Sequence, residues 1–146
     1  MTEPFDSIRP PRSFWLVALG SLLWNLIGVM NFLYTVTLSP ETLAAMPEAE
    51  RILYTDIPFF VNACFALAVF SGTLASVLLL MRRAICVSAF LVSLAAIVLQ
   101  VGFGLWLTPM LEAQGAAALA LPALITLFAG VFLWYSRRMA ALGVLR

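Results

Sequence analysis

The sequence predicts an all-α integral membrane protein, an up-down bundle of four helices with the N and C termini both cytoplasmic. Three observations carry that expectation. Four apolar segments are each long enough to cross about 30 Å of hydrocarbon at about 1.5 Å per residue. The arginines gather on one side of those segments. And 64% of the residues are hydrophobic while 10% are charged, where a soluble domain is roughly half apolar and about a quarter charged. A soluble fold of 146 residues has too little interior to hide that much apolar surface, and a bilayer needs no such hiding.

Residues 1–12 are polar and Pro-rich and read as a disordered or surface-lying tail. The first apolar segment, near 14–38, is too long for the core of a secretion signal and has no small-residue cleavage site, so it reads as an uncleaved helix. The second runs near 57–81, with Pro58 in its first turn and Thr55 or Asp56 as cap. Arg82-Arg83 makes a very short turn into the third, near 84–108, which Thr108-Pro109 stops. The fourth runs near 115–136. Because 122–136 alone is too short to span, Pro122 is expected to kink this helix rather than start it. Residues 1–146 thus form a single transmembrane domain.

The loop 39–56 is expected to be partly helical. Ser39-Pro40-Glu41-Thr42 offers a Ser cap, a Pro at the first position and an acid in the first turn. Pro47-Glu48 then restarts or bends the helix. Leu43, Met46, Ile52 and Leu53 would rest this segment on the membrane surface, or, in a sharper reading, hold it as a lid over the bundle mouth.

There is no Lys and no His; all eight cations are Arg. Arg9, Arg12, Arg82, Arg83, Arg137, Arg138 and Arg146 fall on one side and only Arg51 on the other. The Arg-rich side is therefore expected in the cytoplasm, with Arg82, Arg83, Arg137 and Arg138 as topology determinants. Glu41, Glu48, Glu50, Asp56 and Glu112 belong to the outer loops. Phe14, Trp15, Trp134 and Tyr135 would mark the inner interface; Tyr34, Tyr54, Phe59, Phe60 and Trp106 the outer one. A net charge of +1 suggests no nucleic-acid partner.

The chemistry is constrained as much by what is missing. Without His, His-ligated haem, His-bearing metal sites and His bases are unavailable. No nucleophile elbow, P-loop, dinucleotide fingerprint or metal-ligand cluster occurs. No catalytic residue, metal or cofactor is expected, and the chain does not read as an enzyme. Cys64 and Cys86 fall on different helices near opposite membrane faces, too far apart for a disulfide. No Asp, Glu or Arg lies centrally in any span, which weighs against proton-coupled antiport and pumping.

Uncharged polar and small residues remain. Asn25 falls near mid-membrane, and Asn31, Asn62 and Gln100 in the outer half at similar depth, counting from each helix centre. An unpaired amide in hydrocarbon is costly, so all are expected to face the interior. There they would form either an interhelical lock, worth ~0.6 kcal/mol each, or a polar pocket for an uncharged ligand. Cys64, Ala68, Gly72 and Ser76 recur every four residues on the second helix. Ala89, Ser93, Ala96, Gln100 and Gly104 share a face of the third, and Ala123, Thr126 and Gly130 one of the fourth. Such stripes let backbones approach closely. Packing within the chain is the simplest use, a homodimer seam the alternative. Phe70-Ser71-Gly72 before Arg82-Arg83 is echoed by Phe128-Ala129-Gly130 before Arg137-Arg138, which leaves room for a duplicated two-helix unit.

Leu22-Leu23-Trp24-Asn25 with Gly28, then Met46-Pro47-Glu48-Ala49-Glu50-Arg51 and Tyr54, form one recognisable pattern. Ala68-Val69-Phe70-Ser71-Gly72, Leu78-Leu79-Leu80 and Arg82-Arg83 form another. Over about residues 13–105 the chain resembles a family of small bacterial four-helix membrane proteins often labelled sugar transporters. The resemblance implies a multi-pass protein of a bacterial inner (plasma) membrane; it assigns no binding residue. Two functions stay open: a transporter-like module for a small neutral solute, and a non-catalytic accessory or assembly subunit. The expected partners are the lipid bilayer and either further copies of the chain or a larger membrane complex.

Overall fold

Long runs of Leu, Val, Ala and Phe satisfy their backbone in hydrocarbon by forming helices, and the chain does so four times. The computed structural model describes residues 9–51, 54–55, 57–107 and 115–146. α1 spans Arg12–Thr37, α2 Pro40–Ala45, α3 Glu48–Arg51, α4 Phe59–Leu80, α5 Cys86–Leu107 and α6 Ala120–Ala141; a 3-10 segment, Gly115–Leu119, leads into α6. α1, α4, α5 and α6 with its 3-10 lead are long and apolar enough to cross a membrane. The fold is an all-α, four-helix membrane bundle.

α4 is the central helix. It packs against α5 along most of its length and against α1 on its other side, while α6 packs on α5. α1 and α6 meet where Trp24 stacks on Phe128, ring centroids 4.4 Å apart. The main core lies at the Arg-rich end, where Phe14, Leu79, Phe90 and Phe132 bring one large side chain from each spanning helix. A smaller cluster of Ala68, Ala96, Ile97 and Ala129 continues it. Towards the other end, edge-on aromatic pairs hold the helices: Phe32 on Phe65 and Phe70, Phe60 on Phe103.

Several helix ends differ from the sequence reading. α4 starts at Phe59, with Pro58 itself as the cap and no side-chain cap bond; the Pro58 carbonyl accepts from the amides of Val61 and Asn62. Asp56 and the stop expected at Thr108-Pro109 lie outside the described residues. Pro122 does not kink the helix in mid-course. It sits in the first turn of α6, just past the change from 3-10 to α, where its missing amide has no intrahelical acceptor to forgo. α6 continues through Arg137 and Arg138 to Ala141, placing cations where the C-terminal helix dipole favours them. Phe14, expected in the interfacial belt, is fully buried, because the converging helices close over it.

The loop helices follow their caps. Ser39 Oγ accepts from the Thr42 amide at 3.2 Å, Pro40 opens α2, and α3 begins directly after Pro47. Leu43 and Met46 are half-buried; Ile52 and Leu53 lie outside the described residues. At the opposite end, Gly143 takes φ 71° and turns the chain back after α6. The Arg146 amide donates to Arg82 O at 2.7 Å, and Ala84 donates to Arg146 O at 2.6 Å. Arg82 Nε donates to Val144 O at 3.0 Å. Val144 and Leu145 are buried in the main core. Residues 142–146 thus clip the α4–α5 turn, whose Arg82 is held at φ 58°, a left-handed conformation that non-glycine residues adopt only when surrounding contacts impose it.

Candidate functional site

Asn25 and three buried serines gather where α1, α4 and α5 cross. α1 turns Asn25, Gly28 and Phe32 towards α4, three or four residues apart as one helix face requires. Asn25 Nδ2 donates to Ser21 O one turn back, at 2.8 Å, and to Ser76 Oγ on α4, at 3.3 Å. Ser76 Oγ donates in turn to Gly72 O at 2.8 Å. From α5, Ser93 Oγ donates to Ala68 O at 2.8 Å. Gly72 is the floor on which these meet. A methyl group built there would overlap Asn25 Oδ1 and stand 2.9 Å from Asn25 Cγ and 3.0 Å from Ser93 Oγ. Gly28 acts in the same way a turn further along α1, where a Cβ would come within 3.0 Å of Val69 Cγ1.

This cluster is closed by packing. Ser21, Ser76 and Ser93 are buried, and each hydroxyl is spent on a helix carbonyl. It contains no titratable side chain. Such a cluster can lock helix register, and no acid or base stands in it to activate a hydroxyl.

The residues singled out in the sequence separate into groups. Asn25 belongs to the lock. Cys64, Ala68, Gly72 and Ser76 are all buried between α4 and its neighbours, as a packing stripe should be. The expected trio does not assemble. Asn31 is exposed, Asn62 and Gln100 are half-buried, and none of the three side chains makes a hydrogen bond among the described residues. Helix register explains this. Phe32 packs at Phe65 and Phe70, so Asn31 lies about a turn or more deeper than Asn62 at ~1.5 Å rise per residue. It also flanks the α4-facing line instead of lying on it. Asn62 and Gln100 do reach a common depth, since α4 and α5 pair Phe60 with Phe103 and Ala68 with Ser93.

Gly130 departs from the packing role expected of it: a Cβ there would meet no heavy atom within 4 Å. With Ala123 and Thr126 it lines an open groove between α5 and α6, about 780 Å³, walled by Val101, Leu119, Pro122, Leu127, Val131 and Trp134. A second hollow of about 600 Å³ shares Gly130 and Trp134 and extends past Leu94 and Leu133 to Arg137, Arg138 and Ala141. The Arg138 guanidinium lies 5.5 Å from the Trp134 ring centroid, within cation–π range. Small side chains in α6 leave this space beside α5. Sequence reading saw the small stripe without seeing that it lacks a partner helix.

At the outer end Tyr34 and Tyr54 meet edge-on at 6.2 Å. Burial, with Tyr34 and Glu50 nearby, pushes the Tyr54 phenol above its usual range. The Glu41 carboxyl is held low by backbone and Ser39 hydrogen bonds at the start of α2. Cys64 and Cys86 are buried free thiols.

No protein-family model matches the chain, and neither a curated relative nor a solved structure is similar to it.

Proposed function

We propose that this is a non-catalytic, multi-pass protein of a bacterial inner membrane that works through its lateral, lipid-facing surface, as an accessory or assembly module. One observation carries the reading. Asn25, Ser76 and Ser93 are packed against one another at Gly72, while the open hollows face sideways along α5 and α6. A solute path would need the reverse arrangement. The gathering of seven arginines at one end supports a cytoplasmic placement of that end.

The test is paired. Purified protein in proteoliposomes should release a trapped neutral sugar no faster than protein-free vesicles. Native mass spectrometry of protein taken from its own membrane in mild detergent should show a second protein in fixed ratio. Protein-dependent sugar flux would overturn the reading in favour of the second one, a transporter-like module for a small neutral solute. The resemblance to sugar-transporter-labelled proteins favours that alternative, as do Asn62 and Gln100, which share a depth on adjacent helices without hydrogen bonds.

A further inference from the structure

We infer that the α5–α6 groove is a binding site for one anionic phospholipid of the Arg-rich leaflet, its acyl chain along α6 and its phosphodiester on Arg137 and Arg138. The inference rests on the lateral-surface reading and names the ligand class for that surface.

The argument begins with shape. The two hollows adjoin at Gly130 and Trp134, so one continuous trough runs from Arg137 and Arg138 to Pro122. One leaflet contributes about 15 Å of the ~30 Å hydrocarbon core, and about ten residues at ~1.5 Å rise cover that depth. Measured from Arg137, the trough reaches Leu127 within one leaflet and continues beyond it. At Gly130 the floor is bare backbone, with no atom within 4 Å of where a Cβ would stand. A methylene chain fits such a floor.

Charge selects the occupant. Both arginines line the inner end of the trough, and Trp134, a wall of both hollows, holds the Arg138 guanidinium over its ring. Among the described residues neither arginine pairs with a carboxylate; the ion pair found there is Arg51 with Glu48, at the other end. The described acids, Glu41, Glu48 and Glu50, all lie at that other end as well. A second copy of this chain seated two-fold on the groove would bring four arginines together with no described acid to offset them. A phosphodiester supplies an anion at the depth where a headgroup lies, and guanidinium geometry suits it.

The test uses the full chain, delipidated in mild detergent and titrated with dioleoyl phosphatidylglycerol or dioleoyl phosphatidylcholine, read by native mass spectrometry and thermal unfolding. One phosphatidylglycerol should bind and raise the unfolding temperature, with phosphatidylcholine and inorganic phosphate ineffective. R137Q/R138Q should bind phosphatidylglycerol about thirtyfold more weakly, at roughly 1 kcal/mol per arginine and 1.4 kcal/mol per tenfold. Gly130→Phe, which fills the trough without touching charge, should lose the bound lipid while keeping its own cooperative unfolding. R9Q/R12Q, with the same change in net charge outside the trough, should bind as the parent does. Equal binding of the two lipids, an equal loss in R9Q/R12Q, or a homodimer that excludes phosphatidylglycerol would each overturn the assignment. None of these outcomes depends on sugar flux, so the site and the proposed function can fail separately.

Discussion

Gly72→Ala adds one methyl group at the point where three helices meet. In the native packing that methyl overlaps Asn25 Oδ1 and crowds Ser93 Oγ at 3.0 Å. Asn25 can yield only by rotating its amide, which surrenders its bonds to Ser21 O and Ser76 Oγ. The Ser21 bond lies within α1; the Ser76 bond crosses to α4, and an interhelical hydrogen bond in a membrane is worth about 0.6 kcal/mol. Overfilling a packed site costs a further ~1–3 kcal/mol. The expected destabilisation is therefore about 2–4 kcal/mol. Gly130→Ala is the matched control: the same change in the other stripe, with no neighbour in reach. It should be neutral or stabilise by up to ~1 kcal/mol through helix propensity. Reversible unfolding by SDS in mixed micelles, followed by circular dichroism, measures both. A double-mutant cycle isolates the cause: in an Asn25→Ala background Gly72→Ala should cost less by about 1 kcal/mol or more. Equal costs for Gly72→Ala and Gly130→Ala, or a cost for Gly72→Ala that ignores Asn25, would refute the lock.

Other perturbations test other regions of the fold. Asn62→Leu and Gln100→Leu, which remove amides without hydrogen bonds, should leave stability unchanged or raise it in the same unfolding assay, whereas Asn25→Leu should lower it by about 1–2 kcal/mol. The Tyr135 hydroxyl is buried with no partner among the described residues, so Tyr135→Phe should raise the unfolding temperature or leave it alone; a loss above ~1 kcal/mol would reveal a bonded hydroxyl. Leu145→Asp puts a carboxylate into the core beneath the α4–α5 turn and should free residues 142–146, seen as faster amide exchange at Ala84 and Arg146; unchanged exchange would mean the clip does not depend on that burial. A reporter active only in the cytoplasm should work when fused after Arg146 and be silent when inserted near Glu112, and the opposite pattern would invert the orientation.

The number of spans, their approximate limits and the gathering of seven arginines at one end were legible from residues 1–146 alone. These are local properties: a run of apolar side chains needs a helix wherever it lies in hydrocarbon, and alternating polar connections place every second one at the same end. The Ser39 cap and the restart after Pro47 were legible for the same reason, since each is decided within one turn. Helix rotation was not. Lipid is as apolar as leucine, so the lipid-facing and inward-facing sides of a spanning helix carry little contrast in sequence. Asn25 and Asn31 look equivalent along α1, yet only Asn25 lies on the line that meets Gly72 and Ser76. The Gly72 and Gly130 stripes look equivalent too. α4 is flanked by α1 and α5, which fill the space over Gly72, while α6 packs chiefly on α5 and leaves Gly130 facing a groove. Arg82 reads as a topology signal, and the tertiary structure gives it a second task, because contacts to Val144 and Arg146 cross more than sixty residues of chain. Which polar groups meet, and which small residues stay uncovered, is set by how helices rotate against one another. Side-chain contacts made only in the assembled bundle determine that rotation.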